Sequence, residues 1–432
     1  SARGSSSRSV PTSTGSTLIP SRAKGTAMAS QRYYGVSTVL APRARSVRAT
    51  SARACFPLLT KARTPAGYPV PASASQHRYP SAVQTALTRM AADDGVGLAL
   101  RTWLPDGIAP LRTDAASRAE PSGHAGLSGL SGHAGHAALA PNGSASGSRG
   151  GEPSAVIQIV HGMTEHSARY ERFAVAAVGA GYAVVADDHR GHGLTAAPGR
   201  LGHVADADGW QRVLIDLSSV LDAVRASWPG APVVMLGHSW GSFLVRLLAA
   251  RRGADLAGMI VMGTGGDPGA TGRAGVALGS LLCGLRGPAA PGKALHALVI
   301  GGFNRVFAPT RTEVDWLSRD EAEVDAYAAD PLCGFVCSNA FFRDLAAGPH
   351  AAARSAVYRA TPGDLPVLVV SGGRDPVGAG GRGPREVADA YRRAGVRDVA
   401  LKLYPGARHE VLNEINRDEV TRDLLAWISA HL

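Results

Sequence analysis

From Ala155 onward the chain alternates short apolar runs with amphipathic stretches. The runs lie at 155–160, 181–186, 232–236, 257–262, 366–370 and 399–404. They are rich in β-branched residues and lack polar alternation, as strands covered on both faces should. Between them, Trp210, Val213, Leu214, Leu217, Val220, Leu221 and Val224 recur at steps of three and four, and so do Tyr170, Phe173, Ala174, Ala177 and Val178. Each set forms one apolar stripe on a helix. Strand and helix in alternation predict an α/β chain with a doubly wound, mostly parallel sheet. An earlier run, 96–103, reads as a further strand ending at the turn Pro105-Asp106-Gly107.

The alternation breaks between about 266 and 360. Apolar pieces at 276–285 and 294–307 are followed there by an acidic helix, for which Ser318 and Glu321 have the spacing of a capping box. Such a departure late in the sheet predicts a cap over a site. Its apolar residues Leu278, Leu281, Leu282, Leu295, Leu298, Val299, Phe303 and Phe307 serve either to pack on the main domain or to line an acyl groove and touch a lipid surface. The acidic group Glu313, Asp315, Asp320, Glu321, Glu323 and Asp325 reads as a solvated helix face.

Charge is unevenly placed. Thirteen of the 45 Lys and Arg precede Asp93 with no acid among them, which leaves 32 bases against 34 acids in the remainder. The +11 excess therefore belongs to the N-terminal stretch, and no nucleic-acid partner is expected for the folded part. Residues 1–87 read as a disordered basic tail rich in Ser, Ala, Arg and Pro, and residues 88–432 as the folded domain. The tail's composition suits a solvated arm, sequence upstream of the true start, or an organelle transit peptide. Without a secretory or membrane-spanning run, the expected location is cytoplasmic, with organelle targeting as the alternative. Residues 108–153, rich in Gly, Ala and Ser with Gly-His-Ala-Gly at 123–126 and again at 132–135, read as a flexible insertion between two strands. Cys333 and Cys337 are four apart, a spacing that sets them on one helical face. No second Cys/His pair stands at a suitable distance, so no metal is expected, and the four cysteines read as thiols in a reducing compartment.

The chemistry centres on Gly237-His238-Ser239-Trp240-Gly241. It directly follows the strand 232–236 and opens a helix-compatible stretch, the context that makes G-x-S-x-G a nucleophile elbow. A serine hydroxyl needs a base, and the base needs an orienting acid. Asp375 follows the strand 366–370, and His409 follows the strand 399–404, in the order acid then histidine. Backbone N–H groups of Trp240 and of Met163, in the loop after the strand 155–160, are the expected oxyanion donors. His189 and His192 read as residues that fix a loop's shape, and His166 and Arg169 as anchors of the Met163 loop.

His161-Gly162-Met163-Thr164-Glu165-His166-Ser167-Ala168-Arg169-Tyr170 resembles the HG-x-x-EHS-x-RY signature of the monoacylglycerol lipase and lysophospholipase-like family of α/β hydrolases, within the serine aminopeptidase-like superfamily. Asp188-His189-Arg190-Gly191-His192-Gly193 is similar to its D-x-RGHG block, and the stretch from Arg311 to Phe335 is similar to cap segments of bacterial members. The resemblance covers roughly 88–432 apart from 108–153. It implies an α/β-hydrolase fold with a helical cap, a catalytic set of Ser239, Asp375 and His409, and hydrolysis of a carboxylic ester through an acyl-enzyme. A monoacylglycerol or lysophospholipid is the substrate that the resemblance and the apolar cap together suit best; the cap's apolar residues offer a surface for transient membrane contact, and the serine mechanism needs no metal or organic cofactor. Trp240 stands where these lipases often carry Met, and a Gly-x-Ser-Trp-Gly-Ser turn is also similar to that of the proline iminopeptidases. A serine aminopeptidase or amidase thus stays open, as does a non-catalytic binding protein on the hydrolase scaffold. Cap carboxylates pointing into the pocket would favour the aminopeptidase.

Overall fold

The computed structural model describes residues 83–113 and 151–432. Among these residues eight strands form one sheet: β1 (Gln84–Ala91), β2 (Gly97–Leu104), β3 (Val156–Val160), β4 (Ala183–Asp188), β5 (Val233–His238), β6 (Gly258–Met262), β7 (Val367–Gly372) and β8 (Val399–Tyr404). Their order is β1-β2-β4-β3-β5-β6-β7-β8. β2 is antiparallel to both β1 and β4, and all other neighbours are parallel. The chain starts its parallel part at β3, steps outward to β4, then crosses back to β5. The crevice at the ends of β3 and β5 is thus the switch point, where open α/β sheets bind ligands.

The lack of alternation in the central strands has a direct cause. Val156 and Val160 of β3 face one core, with Val233 and Met235 of β5. Ile157 and Ile159 face the other, with Val234 and Leu236. Helices α2 (Gly209–Ser227), α3 (Trp240–Arg252) and α9 (Arg382–Ala394) cover the first face. Helices α1 (Glu171–Gly179) and α10 (Arg417–Ala430) cover the second. The stripe read in 210–224 is the buried side of α2, and Leu217 O accepts a hydrogen bond from buried Gln158 Nε2 at 3.2 Å.

Three elements depart from the sequence reading. Among the described residues, regular structure begins at Gln84, four residues before the expected start at Thr88. β1 is an exposed edge strand whose Leu87 is 51% exposed, so its pairing with β2 supplies order that its own apolar pattern does not signal. β8 is only partly buried although read as covered on both faces, because it forms the other edge. Cys333 and Cys337 lie in an irregular segment before a helix, not on one helical face. Most of the N-terminal tail, the insertion's His124, His133 and His136, and Cys55 lie outside the described residues. At the insertion's described ends, Ile108 and Gly151 form a parallel bridge.

Between β6 and β7 run α4 (Gly269–Arg286), α5 (Lys293–Arg305), α6 (Glu321–Ala329), α7 (Asn339–Ala352) and α8 (Ser355–Ala360), in the place expected for the cap. The capping box foreseen at Ser318 is displaced. Asp320 is the N-cap of α6, its Oδ1 accepting the Ala322 N–H at 3.0 Å. Ser318 instead donates its hydroxyl to Asn413 O at 2.8 Å, a tertiary partner that no local spacing reveals.

Candidate active site

The turn between β5 and α3 is strained. Ser239 has φ 52° and ψ −117°, a left-handed backbone uncommon for a residue with a side chain. The turn persists because its neighbours are small. A Cβ on Gly241 would overlap the carbonyl oxygen of Val160, so α3 starts directly against β3 only with glycine there. The result projects Ser239 into the crevice at the strand ends.

Asp375 and His409 arrive from the loops after β7 and β8. His409 Nδ1 lies 3.0 Å from Asp375 Oδ1, and both side chains are buried. Asp375 is held further by the Val377 N–H at 2.9 Å and the Ser371 hydroxyl at 3.1 Å. Burial alone would raise its carboxyl pKa, but His409 and these donors outweigh burial and keep it below the usual range. The two loops touch at Gly372, where any Cβ would run into the Arg408 and Ala407 carbonyls. Ser239, His409, Gly162 and Met163 line one small cavity together with Trp316 and Tyr327.

Behind this cavity sits a charged cluster that sequence reasoning had not assembled. Buried Glu165 accepts the Gly162 N–H at 2.6 Å, His238 Nδ1–H at 2.9 Å and the Tyr170 hydroxyl at 3.0 Å. Arg169 donates to Glu165 at 3.3 Å and forks onto Glu410 at 2.5 and 2.8 Å. The loop after β3 is therefore tied to the loop that carries His409. Burial opposes ionisation of Glu165, but His238 and Arg169 prevail and hold it well below the usual carboxylate range. Burial also opposes charge on His238, and Glu165 prevails there, raising its pKa. The signal was present as Glu165 in the quoted signature. What was missing was its partner His238, 73 residues away.

The remaining expectations sort cleanly. Arg169 anchors the loop through Glu410, and His166 reaches Asp330 of the cap at 2.8 Å. His189 stacks on His161 at 3.8 Å, donates to Asp187 at 2.6 Å, and gives its backbone N–H to His161 Nε2 at 3.0 Å. His192 stacks against Trp240 at 5.2 Å. These histidines pack the loop beneath Trp240. The acidic group is largely paired: Asp320 with Arg417, Glu323 with Arg172, and Asp325 with Arg311, each at 2.6 Å.

Above Ser239 opens an apolar cavity of about 740 Å³. Met163, Trp240 and Phe243 form its main-domain wall, and Leu278, Leu295, Leu298, Val299 and Phe303 its cap wall. The cap's apolar residues divide between packing and lining this cavity. Leu295 is buried and Leu282 packs on the main core, while Leu281 and Leu285 are exposed. The cavity's carboxylates are Asp267, paired with His350, and Glu386, beside Arg382. None belongs to the acidic group of the cap.

Among the described residues one set of metal-ligating atoms lies together, those of His166, Asp330 and Cys333, within 4.8 Å of one another. Burial raises the Cys333 thiol against the pull of Arg169, and His166 and Asp330 are already bonded to each other. The arrangement is a clasp between loop and cap, with a protonated thiol beside a histidine–aspartate hydrogen bond.

A family model described as serine aminopeptidase, S33, of the Hydrolase_4 group matches residues 151–416. That match spans more than half of the 432 residues. The chain belongs to this family. Within it, the chain is a monoacylglycerol lipase-like α/β hydrolase. It is 31% identical to the monoacylglycerol lipase of Mycolicibacterium smegmatis over 65% of this chain and 90% of that one. It is also 31% identical to the human monoglyceride lipase, over 65% and 84%. A solved lipase in an open form superposes with a TM-score of 0.63 at 27% identity, covering 81% of this chain and 99% of that chain. A thermostable carboxyl esterase from Bacillus coagulans superposes with a TM-score of 0.66 at 24% identity, covering 80% and 98%, and so bears on fold alone.

Proposed function

We propose that this hydrolase cleaves the ester of a single-chain glycerolipid, a monoacylglycerol before a lysophospholipid, through an acyl-enzyme on Ser239. The observation that carries the reading is the apolar cavity of about 740 Å³ with Ser239 in its wall and the Asp375–His409 pair in the adjoining loops. An acyl chain fills that cavity, and its ester carbonyl meets Ser239. His409 Nε2 takes the hydroxyl proton as Oγ bonds to the carbonyl carbon, and the carbonyl oxygen becomes an oxyanion. Trp240 N–H, at the first turn of α3, and Met163 N–H receive it, adding the helix's N-terminal dipole. On collapse the C–O bond breaks and His409 returns the proton to the leaving alcohol. Water then repeats the sequence on the acyl-enzyme. Asp375 fixes the Nδ1–H tautomer throughout.

The aminopeptidase alternative is not favoured, because no member of the cap's acidic group lines the cavity, and the two carboxylates that do, Asp267 and Glu386, stand beside His350 and Arg382. A direct comparison tests this. Long-chain monoacylglycerol should be cleaved at least tenfold faster than prolyl or alanyl arylamides at equal concentration. Faster arylamide cleavage would reverse the assignment.

No helix among the described residues is long and apolar enough to cross a membrane. Contact with a lipid surface would instead use the exposed Leu281 and Leu285 of α4 and Leu298 of α5, at 56%, 72% and 61% exposure. Of these three, Leu298 also lines the cavity. Leu281→Asp with Leu285→Asp should slow cleavage of monoacylglycerol in vesicles by at least about tenfold, since even half-burial of two leucines is worth about 1.5–3 kcal/mol. Cleavage of a water-soluble butyrate ester should be unchanged. Equal loss on both substrates would argue against a surface role.

A further inference from the structure

His409 is held from two directions. Asp375 fixes its Nδ1 edge, as described. Two rings lie beside it, His238 with centroids 4.8 Å apart and Trp316 at 4.9 Å and an inclination of 34°. Trp316 is a cap residue, between α5 and α6, and only 6% exposed. Its backbone N–H donates to Asn304 Oδ1 at 3.1 Å. Its carbonyl accepts the His409 N–H at 3.4 Å, and that of Leu317 accepts the Glu410 N–H at 2.8 Å. The Arg408 guanidinium donates to the Asp315 and Ser318 carbonyls, and the Ser318 hydroxyl to Asn413 O. Cap residues 315–318 and base-loop residues 408–413 are thus bonded as one unit. A buried tryptophan usually places its N–H on a partner. Among the described residues the Trp316 Nε1–H has none, and its ring packs between His409 and Phe303, with centroids 4.9 and 5.0 Å away.

The reaction makes a demand on this surrounding. When His409 takes the serine proton, a cation forms in a site with little water. Asp375 answers at one edge. Glu410 is already committed to Arg169, and Asp315 is taken up by Arg311 and Thr312. Arg408 and His238 add like charge, the latter because Glu165 favours its protonated form. An indole face within about 6 Å attracts a cation, more strongly where water is excluded.

We propose that Trp316 is a positioning residue for His409. It is a cap-borne indole that fixes the imidazole against Asp375 and stabilises the imidazolium, so that the strength of the base depends on the seating of the cap. The inference rests on His409 being the general base.

The test uses the full chain and a soluble butyrate ester that makes little demand on the acyl cavity. Trp316→Leu should lower kcat by about 5- to 30-fold, the factor that follows from a desolvated cation–π contact. KM should stay within about twofold. The acidic limb of the pH profile should move to lower pH, since losing the ring face disfavours the protonated imidazole. Trp316→Phe, which keeps a weaker π-face, should fall between. Fluorinated tryptophans placed at position 316 keep the shape and weaken the face, and should move the limb downward stepwise with each fluorine. This series decides the matter if the Leu variant does not fold. A limb unmoved by fluorination, or a loss confined to KM, would overturn the proposal and leave Trp316 as a wall of the cavity. His409→Ala separates the two layers. Retained activity there sinks the base assignment itself, whereas a dead His409→Ala with a flat fluorination series sinks only the role of Trp316.

Discussion

Ser239→Ala should abolish fatty-acid release from a long-chain monoacylglycerol, with kcat falling by on the order of 10⁴- to 10⁶-fold while the protein stays folded. The hydroxyl is the only atom removed, and alanine relieves none of the constraint at φ 52°, so melting temperature should hardly change. Asp375→Asn should cost about 10⁴-fold, because an amide facing His409 Nδ1 favours the wrong tautomer. The check is product formation by chromatography, beside labelling by a fluorophosphonate. Labelling should vanish in Ser239→Ala and slow greatly in Asp375→Asn. Substantial release by the alanine variant would remove the serine from the mechanism, and with it the acyl-enzyme.

The second large effect is on stability. Glu165→Gln keeps the volume and one acceptor but removes the charge that His238 and Arg169 face. Breaking a buried pair by neutralising one partner costs about 3–5 kcal/mol. For a domain of this size that is a drop of on the order of 10 °C in melting temperature. Activity should fall as well, since Glu165 pins the Gly162 N–H next to Met163. The pH dependence identifies the cause. The carboxyl pKa of Glu165 is depressed in the folded chain, so its contribution is present above the unfolded value and is lost as pH falls through the folded one. The imidazole pKa of His238 is raised, so its contribution is complete below the unfolded value and is lost as pH rises through the folded one. The difference between wild type and Glu165→Gln should therefore be largest between about pH 4.5 and 6.5, bounded by the unfolded Glu and His values. A difference that stays constant from pH 3 to 9 would mean that the glutamate acts by packing alone.

Legibility in the sequence followed the range of the interactions. Strands β3 to β7 and helices α1 and α2 could be read because hydrophobic periodicity is a local property that burial amplifies. β1 could not, because an edge strand borrows its order from β2. Ser239, Asp375 and His409 could be nominated because each follows an apolar run, and a parallel sheet places the ends of all such runs on one edge. Ser318 was misread as a helix cap because hydroxyls serve near and distant acceptors equally well, and only the folded chain offered Asn413.

The sequence by itself determined the layered α/β architecture, the strained serine turn and the family. These depend on period, on glycine where no Cβ fits, and on motifs contained within a few residues. Only the tertiary structure decided that Glu165 serves His238, that Arg169 ties two loops through Glu410, that the cap's acids face arginines, and that Trp316 lies on His409. Those contacts join residues 14 to 241 positions apart, and all but the Asp325–Arg311 pair are at least 73 apart. Partner choice at such separations is set by which loops the sheet brings together, and no local pattern encodes it.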